Sequence, residues 1–206
     1  MFLRFQQSTR GSRISRNHGE HHGRSKKPAV AKPKAKAAPK TAPSKLKGDG
    51  LNINTSVDGS AREKVAEALT KAVADSYTLY VKTLGVHWNV QGANFYGLHK
   101  LTDGQYNELH QAADEIAERI RALGKLVPTG GETFRALTVI DNEAPHGTTP
   151  QMIKQLVQDN ETAARRMSEF AELAEEAGDL FSHDMLVARI GVHEQNAWML
   201  RSSLGE

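Results

Sequence analysis

The sequence predicts an all-α chain: a four-helix bundle carried behind a basic arm. Three observations lead there. From Ser60 onward, apolar residues return every three or four positions, the repeat of helices with one buried face. No Val/Ile/Thr-rich run alternates with a period of two, so no strand is expected. The charge is also divided along the chain. The 206 residues carry a net +3. Residues 1–50 hold thirteen Lys+Arg against Glu20 and Asp49, a net +11, whereas residues 51–206 hold fourteen against twenty-two acids, a net −8.

The arm comes first. Its only aromatics are Phe2 and Phe5 and its apolar residues are mostly alanine, too little for a core at so high a charge, so residues 1–55 are expected to be disordered. Lysine recurs every two to five positions among Pro and Ala, at Lys26, Lys27, Lys32, Lys34, Lys36, Lys40, Lys45 and Lys47. Proline prevents a continuous helix and like charges keep the segment extended. Such an arm suits a polyanion: each cation that neutralises a phosphate releases counterions, giving sequence-independent, salt-sensitive binding to double-stranded DNA. The composition resembles linker-histone tails. Arg10, Arg13 and Arg16 extend the basic set. Residues 1–24, rich in Arg and Ser and free of acid before Glu20, also resemble an organellar transit peptide, so a leader there stays open.

Residues 56–206 are expected to form the domain. A first helix should start with Ser60 as N-cap and end near 86–88, its apolar face carrying Val65, Leu69, Val73, Tyr77, Tyr80 and Leu84. Turn residues follow in Asn89–Asn94. A second helix should run from Phe95 to Leu123, with Gly124 at its C-terminal cap. The connection 125–149 holds Pro128, Gly130, Gly131, Pro145 and Gly147, with room for a short helix near 133–139. Thr149–Pro150 should open a third helix reaching about Ala177, and a fourth should run from Asp179 to Leu204.

Composition narrows the chemistry. With no cysteine, disulfides, thiolate metal sites and cysteine nucleophiles are excluded, and any metal must be held by His, Asp and Glu. No window approaches ~18 consecutive apolar residues, so no membrane partner is expected. Five residues stand out: His87, His99, Asp103, Asp114 and Glu118. His99 and Asp103 lie i,i+4 on the second helix, and Asp114 and Glu118 repeat that spacing. At 100° per residue, positions 103 and 114 fall about 20° from one face. At ~1.5 Å per residue, however, Asp103 and Asp114 are about 16 Å apart, so one helix cannot wrap both pairs around one ion. Two copies packed about a two-fold axis near residues 108–109 can, and such an interface makes two sites. His87 could complete each. These ligands suit Fe(II).

The segment VHWNVQGANF at 86–95, then Leu98-His99, Asp103 and DEIAERI at 114–120, closely resembles the signature of the Dps mini-ferritins (DNA-binding proteins from starved cells). That signature reads HWNxxGxxFxxLHxxxD, followed by DxxAER, and every position is filled here. The resemblance covers about residues 60–204. It implies a ferritin-like four-helix subunit with a short extra helix, a hollow twelve-subunit shell, and ferroxidase sites at two-fold interfaces. His87, His99 and Asp103 would come from one subunit, and Asp114 and Glu118 from its mate. It implies Fe(II) and hydrogen peroxide as substrates, with ferric mineral stored inside. Trp88 should sit beside the site, and Arg119 should make a structural ion pair. By the same resemblance the start of the fourth helix should line an iron pore through Asp179 and Asp184, with Glu175 and Glu176 nearby. Asp179 can equally be an ordinary N-cap.

The expected function is therefore iron storage with peroxide-consuming ferroxidase activity, joined to DNA condensation by the arm, in the cytoplasm and nucleoid. Twelve arms would raise avidity well above that of one. Rival readings are an architectural nucleoid protein with a non-catalytic bundle, a ferroxidase whose N-terminus is a removed leader or inert linker, and a di-iron protein with its site inside one bundle. The last needs Glu-x-x-His on two helices, and the only match is Glu143 to His146, in the Pro/Gly connection.

Overall fold

The structure, a computed structural model, describes residues 53–205. Five helices follow in order: α1 Gly59–Asn89, α2 Phe95–Ala122, α3 Gly131–Leu137, α4 Thr149–Glu176 and α5 Leu180–Leu204. Among the described residues there is no strand. Helices α1 and α2 form one hairpin and α4 and α5 another. The hairpins meet mainly through α1 and α4, and α3 packs on α1. This is the four-helix bundle with one long crossover and a short helix inside it. None of the described helices is long and apolar enough to cross a membrane. The arm cations named above all lie outside the described residues.

Helix boundaries differ from expectation by a few residues, for local reasons. α1 starts at Gly59, with Asp58 rather than Ser60 in the N-cap position, and Arg62 N–H donates to Asp58 O at 2.8 Å. α3 begins two residues earlier than expected, directly after Gly130 at φ +111°, and Phe134 and Leu137 hold it on the core. Phe134 is buried with its ring centroid 5.0 Å from that of Tyr77. α4 is opened by a capping box in which Thr148 N–H donates to Gln151 Oε1 at 2.8 Å. Gly124, at φ +80°, ends α2, and a Cβ there would lie 2.5 Å from Ile53 Cγ1, so the chain before α1 packs on this turn.

The core forms two apolar clusters. One joins Val65, Leu69 and Val73 of α1 to Ile116, Ile120, Met167 and Leu186. The other joins Leu79 and Val86 to Leu98, Leu109, Ile153, Leu156 and Leu200. The first half of α1 buries the expected face. In the second half the stripe rotates onto Leu79 and Val86, and Tyr77, expected inside, is 42 % exposed.

Two buried ion pairs tie the hairpins together. Lys82 Nζ lies 2.6 Å from Asp159 Oδ2, joining α1 to α4. Asp75, fully buried on α1, accepts from Thr138 Oγ1 at 2.7 Å and Val139 N–H at 2.9 Å, with Arg166 Nη1 at 3.3 Å. This fixes the crossover against both helices. Burial pushes the Asp75 carboxyl up, against the lowering by Thr138, Val139 and Arg166.

Candidate metal centre

The end of α1 and the start of α2 lie side by side, and this brings His87 against His99. Their rings stack with centroids 3.8 Å apart and planes 20° apart. His87 Nδ1 lies 3.0 Å from His99 O, and His99 Nδ1 lies 3.1 Å from His87 O. A carbonyl oxygen only accepts, so in each neutral ring Nδ1 carries the proton and Nε2 keeps the lone pair, as a metal ligand requires. Thr102 Oγ1, 3.3 Å from His87 Nδ1, and Phe95, stacked on His99 at 5.1 Å, brace the pair.

Asp103 follows one turn later. Tyr106 donates its hydroxyl proton to Asp103 Oδ1 at 2.9 Å, and its ring meets His87 edge-on at 5.1 Å. That hydrogen bond, foremost, pushes the Tyr106 phenol up. Lys100 Nζ is 3.9 Å from Asp103 Oδ2. The residues His87, His99 and Asp103 are thus gathered into one neighbourhood bridged by Tyr106. The role of Tyr106 was missed from sequence, although its i+3 spacing from Asp103 was a readable signal.

Asp114 and Glu118 are exposed further along α2, about 16 Å on at the helical rise. Among the described residues no three His, Asp or Glu side chains converge as a metal-sized cluster. The subunit therefore separates the five expected ligands into one set with two imidazoles and a carboxylate, and another with two carboxylates. Trp88 is 69 % exposed beside His87 in the chain. Arg119 takes the structural part: it donates to Asp179 Oδ1 at 2.7 Å and to Ser182 Oγ at 2.9 Å, with its guanidinium 5.0 Å from the Phe181 ring.

Of the expected pore residues, Glu175, Glu176 and Asp184 are exposed. Asp179 is 2 % exposed and acts as the N-cap of α5, accepting from Ser182 N–H at 3.0 Å and Ser182 Oγ–H at 2.6 Å. Burial alone would raise its carboxyl, but Ser182 and Arg119 together hold it below the usual carboxylate range. Glu143 and His146, the in-bundle rival, are exposed in the crossover.

A family model described as a ferritin-like domain matches residues 66–206. The DNA protection during starvation protein 2 of Bacillus anthracis is 34 % identical over 146 residues, covering 70 % of this chain and 99 % of that protein. General stress protein 20U of Bacillus subtilis is 35 % identical over 144 residues, covering 69 % and 99 %. The Dps protein of Vibrio cholerae, described as a member of a broad superfamily of ferritin-like diiron-carboxylate proteins, superimposes with a TM-score of 0.70 at 27 % identity, covering 76 % of this chain and 99 % of that one. With the family model spanning most of the chain and the helical bundle matching throughout, this chain belongs to the Dps family of ferritin-like proteins, a family of iron storage and DNA protection.

Proposed function

We propose that this protein is a ferroxidase that oxidises Fe(II) with hydrogen peroxide at sites shared between two copies of the chain. The observation that carries the reading is the reciprocal pinning of His87 and His99, which leaves both Nε2 atoms free to bind a divalent ion next to Asp103. Asp114 and Glu118 lie on the same α2 face but out of reach of that set, so a two-fold mate is needed to supply them. His87, His99 and Asp103 of one copy, with Asp114 and Glu118 of the other, would hold the ferrous substrate. Borderline imidazole and hard carboxylate suit Fe(II), and anionic oxygen favours the harder Fe(III) product. Two ferrous ions each give one electron to one peroxide. Its O–O bond breaks, its oxygens leave as water or join the ferric oxyhydroxide, and hydrolysis of Fe(III) releases protons. Consuming both reactants together avoids hydroxyl radical.

The homo-oligomer is a closed shell, a dodecamer on the family pattern, with ferric mineral inside. Its entry pores are lined by Glu175, Glu176 and Asp184, with Asp179 shaping the start of α5. Residues 1–55 form an arm whose lysines and arginines bind double-stranded DNA without sequence preference, and residues 56–206 form the ferritin-like domain. The protein works in the cytoplasm, associated with the nucleoid.

The test is anaerobic Fe(II) loading of the full chain, followed by a stoichiometric peroxide pulse, with ferric absorbance and residual peroxide recorded. Rapid oxidation that His87→Ala/Asp114→Ala loses supports the reading. Equal, slow oxidation in both leaves an architectural protein that condenses DNA through its arm. Deleting residues 1–52 should abolish a salt-sensitive mobility shift while leaving iron oxidation intact.

A further inference from the structure

The core face of α5 is apolar at Leu186 and again at Ala197, but between them it carries Arg189, His193 and Asn196, all buried and spaced i, i+4 and i+7. Other helices meet this polar stretch at the same level. His193 Nδ1 lies 3.1 Å from Asn160 Oδ1 on α4. Arg189 pairs with Glu108, and Arg119 pairs with Asp179, so α2 and α5 run antiparallel. One turn before Glu108 on α2 and one turn after Arg189 on α5 lie Gln105 and His193. The register therefore sets them opposite each other.

Gln105 is 5 % exposed, His193 0 % and Asn196 8 %. Gln105 Nε2, His193 Nε2, Asn196 Nδ2 and Arg189 Nε find no hydrogen-bond partner among protein groups. Buried polar atoms in folded chains are nearly always satisfied. The roles of these atoms are set by their neighbours. Asn160 Nδ2 donates to Leu156 O at 2.8 Å, which leaves Asn160 Oδ1 facing His193 as an acceptor. His193 Nδ1 is therefore the donor, and Nε2 holds a lone pair. Together these atoms offer one acceptor and several donors. A group bound among them must accept from the two amides and donate to the imidazole. A metal cation cannot accept, and it meets N–H groups and the nearby Arg189 guanidinium. A halide cannot donate to Nε2. Water does both, and buried water with about three hydrogen bonds is a normal part of protein cores.

We infer that the bundle core holds a structural water site at Gln105, His193 and Asn196, and that this donor-rich layer does not accept a metal ion. Ferritin-like carboxylate proteins can bind metal in the bundle core with inward Glu and Glu-x-x-His sets. In this chain the layer at His193 presents amides, a guanidinium and a single imidazole, and the buried carboxylates Asp75 and Asp159 are paired with Arg166 and Lys82. The inference does not depend on the iron site between copies and stands or falls separately from it.

The test is a high-resolution crystal structure of the full chain soaked in Mn(II), with an anomalous difference map. The expected result is a peak without anomalous signal, within ~2.7–3.2 Å of His193 Nε2 and of at least one of the two amide nitrogens. In His193→Leu, and independently in Gln105→Leu, that peak should be lost while the oligomer elutes unchanged. A manganese peak in this layer, a direct Gln105–His193 hydrogen bond, or a dry gap would each overturn the inference. The wild-type map decides even if a variant fails to fold.

Discussion

His87 and His99 hold each other in place. Each ring donates from Nδ1 to the other's backbone carbonyl, at 3.0 and 3.1 Å, and the rings stack at 3.8 Å. Removing either ring therefore removes a ligand and also the stacking partner of the other, whose Nδ1 keeps its backbone acceptor. His99→Ala should slow peroxide-driven Fe(II) oxidation by at least about tenfold with far-ultraviolet circular dichroism unchanged, and His87→Ala should cost as much. An unaltered initial rate in either variant would remove the rings from the site.

Tyr106 orients the carboxylate through its 2.9 Å hydrogen bond to Asp103. Tyr106→Phe keeps the ring against His87 but frees Asp103 Oδ1. Groups that orient metal ligands are typically worth ten- to a hundredfold in affinity. Anaerobic calorimetry should show Fe(II) binding about tenfold weaker, with the assembly intact by size-exclusion chromatography.

The Lys82–Asp159 pair is nearly solvent-free, with side chains 6 % and 11 % exposed. Burial pushes the Asp159 carboxyl up, against the lowering by Lys82. Lys82→Met leaves a buried, unpaired carboxylate and should cost about 3–5 kcal/mol in denaturant unfolding. Lys82→Met/Asp159→Leu should recover much of that loss, because no charge is then stranded.

Burial, and secondarily the Arg189 charge, push the His193 imidazole down to about 3 from 6.5. The sign follows directly. As pH falls below 6.5 the unfolded chain takes up a proton that the folded chain refuses, so stability is lost steadily down to about pH 3, by at most about 5 kcal/mol. Asp75 and Asp159, whose carboxyls are raised, act in the opposite sense around pH 4 and above. The urea midpoint should therefore fall between pH 6.5 and 4.5, and His193→Gln should flatten that slope.

Asp179 separates a structural acid from a pore acid. Its carboxylate caps α5 and pairs with Arg119. Asp179→Asn keeps the cap but loses the ion pair, so the thermal midpoint should drop by several degrees. Glu175→Gln/Glu176→Gln/Asp184→Gln should leave the midpoint in place and slow ferrous uptake several-fold. If uptake instead slows only in Asp179→Asn, the three exposed acids do not form the entrance.

The long-range plan was legible in the sequence because it rests on periodicity. The 3.6-residue repeat marked four helices, Gly124 and Thr149–Pro150 marked helix ends, and the i,i+4 pairs His99/Asp103 and Asp114/Glu118 declared one face of α2. The exceptions have physical causes. The stripe of α1 turns from Tyr77 onto Leu79, which is fully buried, while Tyr77 keeps a tilted ring contact with Phe134 and stays half-exposed. Ser60 yielded the cap position to Asp58 because helix starts are set by backbone geometry as much as by side-chain preference.

Other features depend on which helices become neighbours. Nothing local says that Lys82 meets Asp159, that Arg119 reaches across to Asp179, or that Gln105 and His193 share a level. These pairings join residues 60 to nearly 90 positions apart, and only the register between hairpins sets them. By itself the sequence determined the charge-divided chain, the helical bundle and the candidate ligands, because composition and period are local properties. Tertiary structure alone decided the tautomers of His87 and His99, the capping duty of Asp179 and the polar interior at His193. Each of those depends on a hydrogen-bond partner brought in by a different turn or helix.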